Sequence, residues 1–198
     1  MTWVKAEYAP ELAVLSTWLS MLLPWSVAYQ SDGPLGSILV FVRFSVVELQ
    51  LRFPSTITFD GVPIDVATAL DQVYSGFQIG GNVYVALPPT AALEYSGSLA
   101  LANGVWTVAA VVLVIAFALS VVVYADESKM QRLPYPYPRL AGVCLGTATV
   151  TLALAAGLMA LDASTVGIPV PVGVVVMGLL SAVLLRVDIV ADTDTDAQ

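Results

Sequence analysis

The sequence predicts a membrane α-helical protein: four transmembrane helices, with a small extracytoplasmic strand-rich (α+β) cap between helices one and two. Three observations carry this. Of 198 residues, 58% are hydrophobic and only 11% charged, whereas soluble domains are roughly 45–50% apolar and about 25% charged. Polar surface is therefore too scarce to close around a water-soluble core. Four charge-free windows reach the ~20 apolar residues that cross ~30 Å of hydrocarbon. Between the first and second window, apolar and polar residues alternate with the period of a strand. A mean hydropathy of +0.86 excludes an ordinary soluble enzyme and a disordered chain. The net charge of −8 excludes nucleic acid as a partner, since that needs a basic face.

Residues 1–31 hold the N-terminus and the first window, Leu12 to Ser31, with Trp18, Pro24 and Trp25 inside it. Two readings are open. Ser26-Val27-Ala28 has the small-x-small form of a signal-peptide cleavage site, which would make residues 1–28 a cleaved leader. Against that, Glu7 and Glu11 oppose Lys5, and two tryptophans and a proline replace the plain apolar run of a signal. These features favour a retained helix, kinked near its outer end by Pro24. The second window, Tyr95 to Ala125, could reach ~46 Å as a helix. Its apolar heart from Val105 to Tyr124 suffices, so helix two is expected over 98–125 with Ser96 to Gly104 interfacial. The third window is Leu140 to Leu161, giving helix three over 140–161. In the fourth, Ala163 to Leu185, Pro169 and Pro171 push the helix start to about Val170, because proline suits a first turn but not an interior. Helix four is expected over 170–187.

Orientation follows from basic residues in short flanks. The loop over 126–139 carries Lys129, Arg132 and Arg139, and the loop over 162–169 carries Asp162 and no base. The first is expected in the cytoplasm and the second outside. Lys5 and Arg186 then place both termini in the cytoplasm, in the cell (plasma) membrane. The tail over 188–198 is acidic, with Asp188, Asp192, Asp194 and Asp196. Such self-repulsion is screened in molar salt, where the Debye length is about 3 Å, so the composition suggests a halophilic origin. An acidic tail for a basic partner is the competing reading.

The cap over 32–97 is read from its alternation. Val47, Leu49, Leu51 and Phe53 alternate with Glu48, Gln50 and Arg52, as in a half-buried strand with its apolar set toward the core. Upstream, Phe44 and Val46 oppose Arg43 and Ser45, and a bulge at Val46–Val47 would reconcile the change of parity. Thr56 to Phe59, Asp60-Gly61 and Val62 to Ile64 predict a hairpin, with Pro63 restricting the return strand to an edge. Asp65 is placed to cap a short helix whose apolar face holds Val66, Leu70, Val73 or Tyr74, and Phe77, ended by Gly80-Gly81. Val83 to Leu87 and Ala91 to Tyr95 read as a second strand pair. An alternative dips Leu35 to Val42 into the bilayer, although eight residues cannot span it.

Arg43 and Arg52 are candidate contacts for a partner or for lipid phosphate, against the plainer reading of a solvated strand face. Glu48 and Arg52 share parity but lie ~13 Å apart along a strand. Arg132 to Arg139 contains three alternating prolines, which predict a stiff extended strut. Tyr135 and Tyr137 within it are candidate anchors at the headgroup level or in a partner's groove. Gly142, Gly146, Ala153 and Gly157 form a small-residue stripe on helix three that permits close helix packing, inside the bundle or in a homo-oligomer through helix three.

Reactive chemistry is sparse. The chain has no histidine and a single cysteine, which excludes imidazole metal sites, Ser–His catalysis and an internal disulfide. Cys144, in an apolar helix, is a small buried residue rather than a reactive thiol. No catalytic, metal-binding or cofactor-binding residue is expected. The leading functional expectation is a non-enzymatic scaffold or accessory subunit of the cell envelope, embedded in the lipid bilayer with a membrane or envelope protein partner. The alternative is a small-solute transporter or channel subunit, whose pathway would have to use Asn103, Thr147, Thr149 and Thr151.

Leu22-Leu23-Pro24-Trp25-Ser26, Phe41-Val42-Arg43-Phe44 and Gly104-Val105-Trp106 resemble the corresponding stretches of small multipass membrane proteins of haloarchaea with no assigned function. The resemblance covers the first 125 residues. It implies a membrane location and no known activity, so no catalytic residue carries over.

Overall fold

Pro10 stands in the first turn of helix α1 (Ala9–Leu22), and Leu23 just beyond it is extended, as a residue before proline is constrained to be. The computed structural model describes residues 8–31, 33, 36–53, 57–59, 62–64, 66–126 and 135–187. After α1 come strands β1 (Ser26–Gln30), β2 (Ile38–Arg43) and β3 (Glu48–Phe53), then the short strands β4 (Ile57–Phe59) and β5 (Val62–Ile64). Helix α2 (Val66–Val73), strands β6 (Phe77–Gly80) and β7 (Val83–Ala86), and helix α3 (Pro88–Glu94) lead into α4 (Gly97–Ala125). The chain closes with α5 (Tyr137–Ala160), the single turn α6 (Ala163–Val166), strand β8 (Ile168–Val170) and α7 (Val172–Arg186).

Six strands form one sheet in the order β6-β7-β3-β2-β1-β8, every pair antiparallel. β4 and β5 pair separately; the expected turn Asp60-Gly61 and cap Asp65 lie outside the described residues. In the bundle, α4 packs along α5, α1 packs on both, and α7 packs on α5 and α1. Trp25 and Trp106 join the two layers, their rings edge-on at 5.3 Å. Trp106 Nε1 donates to Ser45 O at 2.9 Å, and Ser45 Oγ donates to Ser20 O at 2.8 Å, which seats the β2–β3 turn on α1 and α4.

This architecture overturns the expectation of four transmembrane helices with a cap between helices one and two. Among the described residues only α4 and α5, of 29 and 24 residues, are long and apolar enough to cross a membrane. With 14 and 15 residues, α1 and α7 reach only ~21 and ~22 Å, short of ~30 Å. The apolar windows are cut by their prolines, and the cut ends pair as strands. Val27 and Tyr29, beyond Pro24, lie opposite Val170 and Ile168, which flank Pro169. The sheet thus draws strands from the first window and from the 162–169 loop, and is not contained in residues 32–97. Gly167, at φ +70°, makes the bend between α6 and β8; a Cβ there would stand 2.8 Å from Tyr29 O.

Local corrections follow the same logic. The parity change at Val46–Val47 is a tight turn, closed by Phe44 N donating to Val47 O at 2.8 Å, and not a bulge. Residues 38–43 are a sheet strand and not a re-entrant segment. Phe77 belongs to β6 rather than to the preceding helix, and Ala91 to Glu94 are helical rather than a strand, since Pro88 and Pro89 fit a first helical turn. Tyr137, Pro138 and Arg139 belong to α5 rather than to the expected strut, while 127–134 lie outside the described residues.

The small residues of α5 divide between two environments. A Cβ on Gly146 would lie 2.8 Å from Ser181 Oγ, and one on Gly142 3.1 Å from Leu184 and Leu185. Ser181 Oγ donates to Gly142 O at 2.7 Å, so this half of the stripe is filled by α7 and is closed to a second copy. Ala153 is exposed, and a Cβ on Gly157 would meet open space. Gly146→Leu should therefore destabilise the protein by ~1–3 kcal/mol through overpacking, whereas Gly157→Ala should cost nothing. Thermal unfolding in detergent distinguishes them, and equal stability of the two variants would contradict the α5–α7 contact.

Candidate functional site

β3 alternates as read, but its faces are reversed. Glu48, Gln50 and Arg52 are buried, while Leu49 and Leu51 are half-buried and Phe53 is exposed. Because β2 pairs Arg43 with Glu48, Phe41 with Gln50 and Leu39 with Arg52, the inner face joins three apolar or cationic residues of β2 to three polar residues of β3. β7 adds Ala86 opposite Glu48 and Tyr84 opposite Gln50. The outer face is apolar instead: Val170, Val27, Val42, Leu49, Val85 and Phe77 form one row across all six strands.

The inner residues make a continuous polar ladder. Arg43 Nε donates to Glu48 Oε2 at 2.6 Å. Gln50 Nε2 donates to Glu48 Oε1 at 2.5 Å and to Ser75 O at 3.0 Å. Gln50 Oε1 accepts from Arg52 Nε at 3.0 Å and Nη2 at 2.7 Å. Arg52 Nη1 reaches Asp71 Oδ1 at 2.8 Å, and its Nη2 also donates to the carbonyls of Tyr74 and Ser75. The Gln50 amide can point only this way, since a flip would set its oxygen against a carboxylate and a carbonyl. One amide thereby bridges a carboxylate and a guanidinium that a strand's rise keeps out of each other's reach.

Aromatic rings wall this ladder. The Arg52 guanidinium lies 3.8 Å from the Tyr84 ring centroid and 5.6 Å from that of Tyr74, and Arg43 lies 5.1 Å from that of Phe41, distances at which a cation is attracted to the ring face. Burial lowers the Arg52 pKa while Asp71 opposes the shift; a guanidinium stays charged regardless. The Tyr74 phenol is pushed up to about 12 by burial, with Arg52 pulling against it. The Tyr95 phenol is raised as well, by burial first and then by the Glu48 carboxylate. Both remain neutral hydroxyls: Tyr74 donates to Thr165 O at 2.8 Å, and Tyr95 accepts from Ser75 N at 3.1 Å. Two cations and two carboxylates balance, with Asp71 alone partly in solvent at 54% side-chain exposure. Arg43 Nη1 and the hydroxyl of Ser26, opposite it on β1, have no protein acceptor.

The structure separates the other candidates. Arg43 and Arg52 are 1% and 2% exposed, so neither can meet lipid or a partner, and the solvated-face reading fails with them. Tyr137 is buried and only Tyr135, at 69% exposure, is presented outward. Among the described residues no group of three or more His, Cys, Asp or Glu could hold a metal ion. In the helices, Asn103 Nδ2 donates to Leu99 O, Thr107 Oγ1 to Asn103 O, Thr149 Oγ1 to Leu145 O and Thr151 Oγ1 to Thr147 O. The residue that sequence reading overlooked is Gln50. Its signal was a donor–acceptor amide placed midway between Glu48 and Arg52.

Residues 2–189 match a model described as a family of unknown function, DUF7549. No curated protein matches the chain.

The ladder predicts unequal costs. Gln50→Leu leaves Glu48 and Arg52 buried without their shared partner and should cost ~2–4 kcal/mol, since each unsatisfied buried group costs about 1–3 and charged groups more. Asp71→Asn, at the wet end, should cost under ~1 kcal/mol. Equilibrium unfolding of both variants measures this, and a Gln50→Leu cost no larger than that of Asp71→Asn would contradict the ladder.

Proposed function

The chain belongs to that family of unknown function, and from this premise we propose that it is an integral membrane protein serving as a non-enzymatic scaffold or accessory subunit of the cell envelope. The observation that carries this reading is the reversed sheet. Its ionisable groups turn inward and neutralise one another, so they hold the fold and leave no charged group on the inner face for chemistry. Its apolar side chains turn outward, beside two helices of membrane-crossing length. Such a surface suits docking and not turnover.

The bundle supports a scaffold over a solute conduit. Asn103 Nδ2 and the hydroxyls of Thr107, Thr149 and Thr151 donate to carbonyls of their own helices, and the Ser181 hydroxyl donates across the α5–α7 seam. A polar pathway needs such groups turned toward solute or water. For orientation, α4 and α5 cross the cell membrane with their basic connecting segment in the cytoplasm and the sheet outside.

In a Cys144→Ala background, Gln72→Cys on α2 should react with an impermeant thiol reagent on intact cells and Tyr135→Cys should not. The protein should resist carbonate extraction and co-purify from native membranes with an envelope protein or with itself. The reversed labelling pattern would overturn the orientation, release by carbonate would overturn membrane integration, and Asn103-dependent solute flux in proteoliposomes would overturn the scaffold reading.

A further inference from the structure

Among the described residues six buried side-chain polar atoms have no protein partner, and three of them are Trp25 Nε1, Ser26 Oγ and Arg43 Nη1. These three residues are neighbours in the sheet. Ser26 stands opposite Arg43 in the β1–β2 register, and Trp25 N donates to Arg43 O at 2.8 Å. Directly opposed residues carry their Cβ atoms ~4.5–5.5 Å apart, so the Ser26 and Arg43 side chains leave the sheet side by side. Trp25 and Ser26 are fully buried and Arg43 is 1% exposed. The neighbouring indole needs nothing more, since Trp106 Nε1 already donates to Ser45 O. A buried donor left unpaired carries its full desolvation penalty. Three at one corner of a sheet mark a shared acceptor rather than scattered defects.

We propose that this corner binds one structural water molecule, which accepts hydrogen bonds from Arg43 Nη1 and Trp25 Nε1 and donates one to Ser26 Oγ. The site goes beyond the scaffold reading and does not depend on it. The donor set fixes the chemistry of the ligand. A guanidinium and an indole can only donate, and a hydroxyl can do either. The ligand must therefore accept at least twice, which excludes a metal cation. Charge separates water from an anion. Arg43 is already paired with Glu48 at 2.6 Å and Arg52 with Asp71 at 2.8 Å. A neutral ligand keeps that balance, whereas an anion would bury a third negative charge close to the Glu48 carboxylate with no cation to match it. Buried waters typically make about three hydrogen bonds to otherwise unsatisfied groups, and this corner offers three. The water carries the polar ladder from Arg43 onto β1, where Trp25 meets Trp106 and the sheet meets α4.

The test is a crystal structure of the full chain grown in sodium bromide, with diffraction recorded at the bromine absorption edge. An ordered peak without anomalous signal is expected within ~2.7–3.2 Å of Arg43 Nη1, Trp25 Nε1 and Ser26 Oγ. An anomalous peak in that position would make the ligand an anion and overturn the assignment. A map with no ordered density between the three groups overturns it as well. Thermal unfolding in detergent gives a second readout. The Tm should be equal in bromide and in gluconate at matched ionic strength, and stabilisation specific to the halide would again point to an anion. Ser26→Ala removes one hydrogen bond and should lower the Tm by about 2–4 °C. An unchanged Tm would take the hydroxyl out of the site and overturn the bridge. If Ser26→Ala misfolds, the wild-type map and the anion comparison decide.

Discussion

The hydrogen bonds of the Gln50 amide hold together what the sheet would otherwise be unable to bury. Glu48 and Arg52 both point inward from β3, too far apart to pair directly. Gln50 accepts from one and donates to the other, while Arg43 closes the far end and Asp71 the near end. Removing any inner member would strand a buried charge, which costs several kcal/mol. Once the polar groups are committed inward, side-chain alternation forces Leu49, Leu51 and Phe53 outward, and the neighbouring strands follow through their register. The reversed sheet is a consequence of that one bridge.

The ladder also fixes how the sheet sits on the helices. Arg52 holds the carbonyls of Tyr74 and Ser75 at the end of α2, and Tyr74 passes on to Thr165 at the end of α6. Gln30 reaches Ser164 O beside it. At the other end the β2–β3 turn rests on α1 and α4 through Ser45. Two sequence-distant helical segments are thus tied to one strand pair, and β8 is brought to β1 by the same closure. This explains why the fourth apolar window is interrupted: its first residues are more use to the sheet than to a helix.

The parts of the fold legible in sequence were those set locally. The long apolar runs that became α4 and α5, the β4–β5 pairing and the short helix α2 were read from residues close to one another. Pro24, Pro169 and Pro171 were recognised as interruptions, yet their consequence depended on Val27 and Tyr29 meeting Val170 and Ile168, residues about 140 positions away that no local pattern relates. In the candidate site, the period of β3 was legible and its sense was not. Alternation says which residues share a face but not which face is inside, and the usual rule, apolar inward, is reliable only where water bathes the other side. Arg43 and Glu48, separated by a four-residue turn, were complementary partners in plain view, and Gln50 was the further clue. The tyrosines divided for a simpler reason: α5 begins at Tyr137, with Pro138 in its first turn, which carries Tyr137 into the bundle and leaves Tyr135 outside.

The claim on which the rest depends is that the ladder is sealed from solvent, and a double-mutant cycle between Arg43 and Glu48 tests it most directly. Unfolding free energies of Arg43→Met, Glu48→Leu and the combined variant give the coupling energy. A sealed pair predicts a coupling of about 2–3 kcal/mol that is unchanged between low salt and 1 M salt, because buried pairs are screened little. A coupling below ~1 kcal/mol that vanishes with added salt is the signature of an exposed pair, and would contradict the reversed sheet.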